Sequence, residues 1–441
     1  MARDEVGARP QRGAPTGRYG YVVVATLAVA YTCNFLDRQF LSVLAEPVKR
    51  DLHLSDTQLG LLTGLMFALF YTAFGIPVAA LADRTNRVRI IAAACALWSL
   101  FTAACGFAGS FAALAAARIG VGVGEAGGSP PSYSILSDYF PPERRGRALA
   151  LYALGVPFGT LFGAASGGWI AAHFGWRAAF KTLGAFGLLL APLVLLVVRE
   201  PQRGRLDPPG ATEGPRASVL SAILVFIRKP ALGLTALSAG LTAFIGYALL
   251  NWTPAYLMRE KGMTLTEIAL WYSTVSGLTT AVGTWLSGWL VDRLGAARPA
   301  AYALVPGICT LLALPFLPAM TAAHGWQPAL AFVVGPSVLL IAYLPAALAV
   351  IQNGVAPGQR AVAGSILLFV LNLIGLGGGP LFVGMMSDHF KPQFGPHALT
   401  YALLCLSPVY VLAFLCQLAA AWFLERDGAA GRGRAAAQVL A

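Results

Sequence analysis

The sequence predicts an all-α integral membrane protein: twelve transmembrane helices in two pseudo-symmetric six-helix halves. Of its 441 residues, 57% are hydrophobic and 11% charged, against roughly 25% charged in a soluble domain. Mean hydropathy is +0.68. Twelve apolar stretches are each long enough for a helix across about 30 Å of hydrocarbon, and none shows the alternation of a barrel strand. The longest polar interruption, Arg199 to Ser218, is rich in Pro, Gly and Arg and divides the stretches six and six.

The first half is expected to cross at Tyr19–Ala45, Asp56–Ala82, Val88–Ala108, Phe111–Ser137, Gly146–Ala172 and Trp176–Val198. The second half follows at Ala231–Leu257, Thr266–Val291, Pro299–Pro318, Gln327–Ile351, Arg360–Ser387 and His397–Leu424. The expected organisation is a tail over 1–18, a bundle over 19–198, a linker over 199–230, a second bundle over 231–424 and a tail over 425–441. Within the linker, Val219–Arg228 reads as a short amphipathic helix lying along the interface before Pro230.

The formal net charge of +12 reports topology rather than nucleic-acid binding. With the amino terminus in the cytoplasm, 22 of the 31 Lys and Arg fall in tails and even-numbered loops, 7 fall outside and 2 lie within helices. That is the positive-inside bias, so both termini are expected in the cytoplasm. Met1 to Arg18 is polar and Arg-rich, and the apolar run after it is too long for a signal-peptide core, so an uncleaved first span is expected. The six cysteines lie inside spans without CxxC spacing and read as small apolar packing residues. The five histidines fall at span ends or in loops, and Trp176, Trp326 and Trp422 read as interfacial anchors.

The halves echo each other. At a shift of 216, Arg144 meets Arg360, Gly159 meets Gly375, Gly163 meets Gly379 and Gly168 meets Gly384. Asp83-Arg84 at the end of span two matches Asp292-Arg293 at the end of span eight. Such a parallel repeat, with a binding site between halves near the midplane, is the architecture of a rocking secondary transporter.

Four charges sit at mid-depth: Asp37 and Arg38 in span one, Arg118 and Glu125 in span four. A charge at bilayer centre costs about 2.5–3.5 kcal/mol on insertion scales, so such residues face protein or water and mark ion or substrate paths. Neighbours on a helix point in different directions, so Asp37 and Arg38 cannot satisfy each other. Each needs a partner elsewhere, and Arg118 and Glu125, two turns apart on one face, offer one of each sign. The second half contributes neutral candidates to a binding wall: Tyr247, Asn251, Trp252, Tyr343, Asn353 and Asn372. A charged wall facing a mostly apolar one suits an amphipathic ligand.

The loop after span two reads Leu81-Ala-Asp83-Arg84-Thr-Asn-Arg87-Val-Arg89. An acid at a helix end followed by arginines suits a gate, with Asp83 set against the positive end of the helix that begins near Arg360. This segment resembles the loop motif of the major facilitator superfamily, Gly-x-x-x-Asp-Arg-x-Gly-Arg-Arg, with Ala79 and Asn86 in place of its glycines; the second-half copy keeps Gly288. The likeness extends over nearly the whole chain and implies the major facilitator fold. The gate set is Asp83, Arg84, Arg87, Asp138, Arg144, Asp292 and Arg293.

Asn34-Phe-Leu-Asp37-Arg38 together with Gly122-Val-Gly-Glu125-Ala126 resembles the spinster-like branch of that superfamily. The resemblance implies a lysophospholipid- or sphingolipid-like substrate and proton linkage through Asp37. From the mid-depth charges themselves, Glu125 is expected as a companion proton-coupling residue, and Arg38 or Arg118 is expected to hold an anionic head group. Gly155-Val-Pro157-Phe-Gly159 with Gly163 is similar to the antiporter motif of the superfamily, with Val156 in place of the usual glycine; close packing against the eighth or eleventh span accounts for the same glycines.

No Gly-Lys pair occurs, which excludes a P-loop and direct ATP drive, and neither His-x-x-x-x-Asp nor His-Glu-x-x-His occurs. The expectation is therefore a non-enzymatic secondary transporter without cofactor or metal, a monomer in a bacterial inner membrane. Its partners would be the bilayer, protons and an amphipathic substrate, with no nucleic acid. The competing expectation is a proton-linked carrier of drugs or small organic anions; a channel or membrane enzyme stands further back.

Overall fold

The computed structural model describes residues 17–206, 219–295, 298, 300–355 and 359–440. Residues 1–16 and 207–218 of the expected tail and linker, and the side chains of Asp292 and of residues 427–440, lie outside the described set. Twelve helical rods follow one another. We label them α1 (Arg18–Val43), α2 (Asp56–Arg84), α3 (Arg87–Cys105), α4 (111–139), α5 (Pro142–Phe174) and α6 (Trp176–Val197), then α7 (Pro230–Lys261), α8 (265–295), α9 (Ala301–Ala322), α10 (Trp326–Gly354), α11 (360–394) and α12 (398–440). The described residues outside the rods form turns, extended links and short helices, among them Ala45–Leu52 after α1 and Val219–Arg228 before α7. Among the described residues, nine stretches meet the length and hydropathy of a membrane span, one of which holds both α11 and α12. Rod α4 is broken at 126–128 into two shorter helices.

The internal repeat extends to local geometry. Rod α2 opens with a capping box, in which the Ser55 and Gln58 side chains bond each other's backbone N–H, followed by a wide π-helical turn at Leu61–Leu65. Rod α8 opens the same way, with Thr264 and Glu267, then a π turn at Ile268–Tyr272. Each box satisfies two N–H groups that a helix start leaves unpaired. The same device at corresponding places in both halves is what duplication would leave.

Glycines set the closest contacts. Along α5, Gly155, Gly159, Gly163 and Gly167 lie against Thr32, Phe35, Leu36 and Phe40 of α1, and Gly168 against Leu265 and Ala269 of α8. The motif glycines therefore pack chiefly on the first rod of their own half, and only Gly168 meets the eighth span. In the second half, Gly375 and Gly379 repeat the arrangement against α7.

The two halves touch through two crossing pairs, α2 with α11 and α5 with α8. Gly60 and Gly64 of α2 meet Leu376, Pro380 and Leu381 of α11, and Gly277 of α8 meets Leu161 of α5. Toward the face carrying the rod ends Arg18, Arg84 and Gly354, here the terminal face, Gly75 of α2, Gly288 of α8 and Gly364 of α11 have nothing within 4 Å of a side-chain position. The hydrophobic core divides the same way. One cluster runs across both halves near the opposite face, from Phe40, Leu44 and Leu59 to Trp252, Tyr256 and Leu403. Nearer the terminal face, one cluster is drawn from the first half apart from Leu376, and a separate one belongs to the second half. The molecule is thus closed at one face and splayed at the other.

Candidate functional site

Asp37 and Arg38 lie about three-quarters of the way along α1, at adjacent positions roughly 100° apart around the helix. Asp37 turns into the first half. Its Oδ1 takes a bond from Arg118 Nη1 at 3.2 Å, and its Oδ2 takes one from the Thr102 hydroxyl of α3. Arg38 turns to the cleft between the halves, and its Nε donates to Glu125 Oε2 at 2.8 Å. The four mid-depth charges therefore pair crosswise between α1 and α4. Helical side chains lean toward the helix start, which carries Arg38 down to Glu125.

Asp37, Arg118 and Glu125 are each 1% exposed, whereas the Arg38 side chain keeps 16% of its surface open. The Arg38 guanidinium carbon stands 4.9 Å from the Phe35 ring, 4.8 Å from Phe67 and 4.9 Å from Tyr71. Such contacts are worth about 0.5–2 kcal/mol each and hold the fork in place. Its one hydrogen bond among the described residues uses Nε, which leaves both terminal nitrogens undonated. Arg118 Nε and Glu125 Oε1 are buried without a partner. Buried polar atoms in that state ask for water or ligand.

The expected second-half wall divides. Tyr247, Tyr343 and Asn372 are half-buried, and Tyr247 lies near Arg38 of the first half. Asn251 is tied to α1, accepting from Ser42 Oγ at 2.6 Å, and so belongs to the seam between halves. Trp252 does not line the cleft: it is 2% exposed and its Nε1 donates to Pro380 O of α11 at 2.8 Å, inside its own half. Asn353 is exposed one residue from the end of α10, beside the terminal face rather than at mid-depth. Arg118 likewise lies behind the cleft wall, because Asp37 draws its guanidinium inward.

The expected gate residues also divide. Asp83, Arg84, Arg144 and Arg293 are exposed at the terminal face. The helix beginning at Arg360 exists, but Asp83 does not reach it, because the halves are splayed there. Arg87 and Asp138 are buried instead within the first half. Arg87 bonds Asp138 at 2.5 Å, Glu200 at 2.6 Å and the Pro201 carbonyl at 3.0 Å. They clamp the start of the linker onto α3 and α4.

The closed face holds a charge cluster that sequence reasoning missed. Arg259, at the end of α7, bonds Glu46 and Asp56 of the first half, the latter at 2.7 and 2.9 Å. Asp56 also takes Lys49 and the Ser387 hydroxyl. Asp388, at the end of α11, accepts from Asp56 N at 3.1 Å, Thr57 N at 2.7 Å and Thr57 Oγ1 at 2.7 Å, capping the start of α2. The available signal was acids and bases at the ends of spans one, two, seven and eleven, on the face where the positive-inside rule requires no charge.

Two helical bundles joined at one face, with paired charges buried beside a central cleft, define a multi-pass membrane carrier. The Major Facilitator Superfamily matches residues 27–380. An MFS-type efflux pump from Mycolicibacterium smegmatis is 34% identical, the match covering 93% of this chain and 94% of that one. Protein spinster homolog 1 from Xenopus tropicalis is 26% identical over 93% of this chain and 82% of its own. The crystal structure of a bacterial homolog of the human lysosomal transporter Spinster, inward-facing and unoccupied, superposes with a TM-score of 0.80 at 34% identity, covering 93% and 97% of the two chains. The chain belongs to the Major Facilitator Superfamily, in its spinster-like branch, and is a bacterial-type transporter.

Proposed function

We propose that the chain works by alternating access to move amphipathic molecules with an anionic head and an acyl-like tail, coupled to protons, in a bacterial cytoplasmic membrane with both termini inside. The setting of Arg38 carries the reading. Glu125 occupies only the Nε edge, leaving a rigid, aromatic-braced pair of N–H donors toward the cleft. A guanidinium fork of this kind matches phosphate or carboxylate geometry. An anion there competes with Glu125 for the same guanidinium, which links ligand binding to protonation of Glu125. Asp37, held by Arg118 and Thr102, is the second proton site in this reading. The tail would lie against the second-half wall. It gains about 0.8 kcal/mol per methylene from water but almost nothing from the bilayer, so selectivity rests on the head group.

The test is binding of single-chain lipids of equal tail with anionic, zwitterionic or cationic heads, in wild type and Arg38→Lys. We expect the anionic lipid to bind tightest and to lose roughly tenfold or more in Arg38→Lys. Equal binding of all three with a silent Arg38→Lys overturns the reading. A second reading, a carrier of drugs or small organic anions, is supported by the efflux pump relative. Anions without a tail would then bind as well as tailed ones.

A further inference from the structure

The Arg38 guanidinium sits among tyrosines contributed by both halves. Tyr31 lies on the same rod, about 10.5 Å of helix nearer the terminal face. Tyr71 stands on α2 and Tyr133 on the second piece of α4, while Tyr247 of α7 and Tyr343 of α10 come from the second half. Tyr71 and Tyr247 lie within electrostatic reach of Arg38 and of each other. Tyr31 is within reach of Tyr71, Tyr133 and Arg38, and Tyr343 within reach of Tyr247. The set therefore runs from one half to the other across Arg38. Tyr31, Tyr71, Tyr247 and Tyr343 are half-buried, and Tyr133 is exposed.

The protein itself uses the first-half rings. Arg38 lies against the Tyr71, Phe35 and Phe67 rings, and Tyr71 stacks on Phe67 with centroids 5.6 Å apart. Tyr31 stacks on Tyr152 at 4.5 Å and meets Phe35 edge-on. The hydroxyls are a different matter. Among the described residues those of Tyr71, Tyr247 and Tyr343 make no hydrogen bond, yet none of the three is among the polar atoms sealed from solvent. A tyrosine hydroxyl both donates and accepts. An ammonium group does not suit this spot, because the ring faces that would hold it carry Arg38 and the guanidinium repels a second cation. A neutral hydroxyl suits it.

We propose that Tyr71 of the first half and Tyr247 of the second, the latter backed by Tyr343, recognise hydroxyl groups on the head of the substrate. The favoured ligand is then a phosphate or carboxylate with a glycerol- or sugar-like polyol beside it. The proposal rests on the anionic-head reading argued above and adds which anionic heads are chosen. The anion takes the undonated edge of Arg38, and the neighbouring hydroxyls bond Tyr71 on one side and Tyr247 on the other. A head without hydroxyls leaves both tyrosine hydroxyls unpaired once water is displaced, which is how a site built to bond a hydroxyl rejects an analogue lacking it. Because the two tyrosines stand on different halves, the ligand's hydroxyls also bridge the halves.

The experiment measures displacement of tritiated lysophosphatidylglycerol from the full chain in phosphatidylcholine nanodiscs. The competitors are lysophosphatidylglycerol, lysophosphatidylethanol and lysophosphatidylcholine of one tail, and glycerol 1-phosphate without a tail. The first two carry the same phosphodiester charge, but only the first has hydroxyls on its head. In wild type lysophosphatidylglycerol should bind about tenfold more tightly than lysophosphatidylethanol, the worth of two hydrogen bonds. Tyr71→Phe and Tyr247→Phe, made separately, keep the rings and should each narrow that gap to about threefold, with lysophosphatidylethanol changed by less than about twofold. Displacement by glycerol 1-phosphate as strong as by the lysolipid supports the same recognition with a soluble source, and much weaker displacement supports a lipid source. Equal binding of the two anionic lysolipids in wild type, or a gap that neither variant narrows, would overturn the tyrosine proposal and leave the anionic-head reading standing. Lysophosphatidylcholine binding as tightly as the anionic lysolipids would overturn that reading itself.

Discussion

Rods α2 and α11 run antiparallel, and each ends in an acid placed to meet the other's start. At the closed face Asp388 of α11 makes that contact, accepting three hydrogen bonds from the first turn of α2. At the splayed face Asp83 of α2 is exposed and the start of α11 stands free of it. The two acids thus read as opposite latches of one rocking pair. Asp388→Asn keeps the shape and one acceptor oxygen but removes the charge. A carboxylate at a helix start is worth about 0.3–1 kcal/mol when exposed and up to about 2 when partly buried, and Asp388 is half-buried. Charge-assisted bonds weaken by a similar amount on neutralisation. Relief of repulsion with Asp56 offsets little of this, because Arg259 and Lys49 already hold that carboxylate. A net loss of about 1–2 kcal/mol shifts the two-state ratio roughly 5–30-fold. Spin labels at Gly75→Cys and Gly364→Cys, positions with nothing within 4 Å, would report the separation of α2 and α11 at the terminal face. In Asp388→Asn the short-distance population should grow. Asp83→Asn should move the distribution the other way. An unchanged distribution in Asp388→Asn, or growth of the long-distance population, would refute the latch argument.

Three further outcomes follow from the same geometry. Arg259→Met leaves Glu46 and Asp56 without their shared cation, and breaking one side of a buried ion pair costs about 3–5 kcal/mol; thermal unfolding in detergent should show a marked fall in Tm, which a wild-type Tm would contradict. Gly159→Val puts branched carbons against the Thr32 carbonyl and Phe35 of α1, and overpacking of that kind costs about 1–3 kcal/mol, readable in the same unfolding series against Gly146→Val, where nothing lies within 4 Å. Asp37→Asn should weaken the pH dependence of the distribution of states, leaving only what Glu125 contributes, measured with the same label pair; a wild-type pH response would remove Asp37 from coupling.

How far the sequence reaches is visible in particular residues. Asp37, Arg38, Arg118 and Glu125 were legible because a charge at mid-depth is expensive wherever it sits, so its presence alone marks it. Their need for partners of opposite sign on another helix followed from helical spacing. The closed-face cluster of Glu46, Asp56, Arg259 and Asp388 was not legible, because charges at span ends are cheap and common. What makes these four special is that the short helix after α1 and the rods α2, α7 and α11 converge there.

The sequence by itself determined the helical class, the six-and-six division and the chemistry of the buried quartet. These depend on hydropathy over single segments and on local spacing, and the bilayer enforces both. Only the tertiary structure decided which side chains share the cleft. Trp252 and Asn353 have the right residue types but face their own half or the terminal face, while Arg118 turns inward to Asp37. It also decided that the α5 glycines serve α1 and that Asp388, not Asp83, makes the helix-start contact in this state. Within each half the packing of neighbouring rods decides such contacts; for the acids at the helix starts the reason lies between the halves. A helix face is fixed by sequence, but what it meets depends on how two nearly rigid bundles are tilted against each other, and that balance is set by weak contacts spread over many rods.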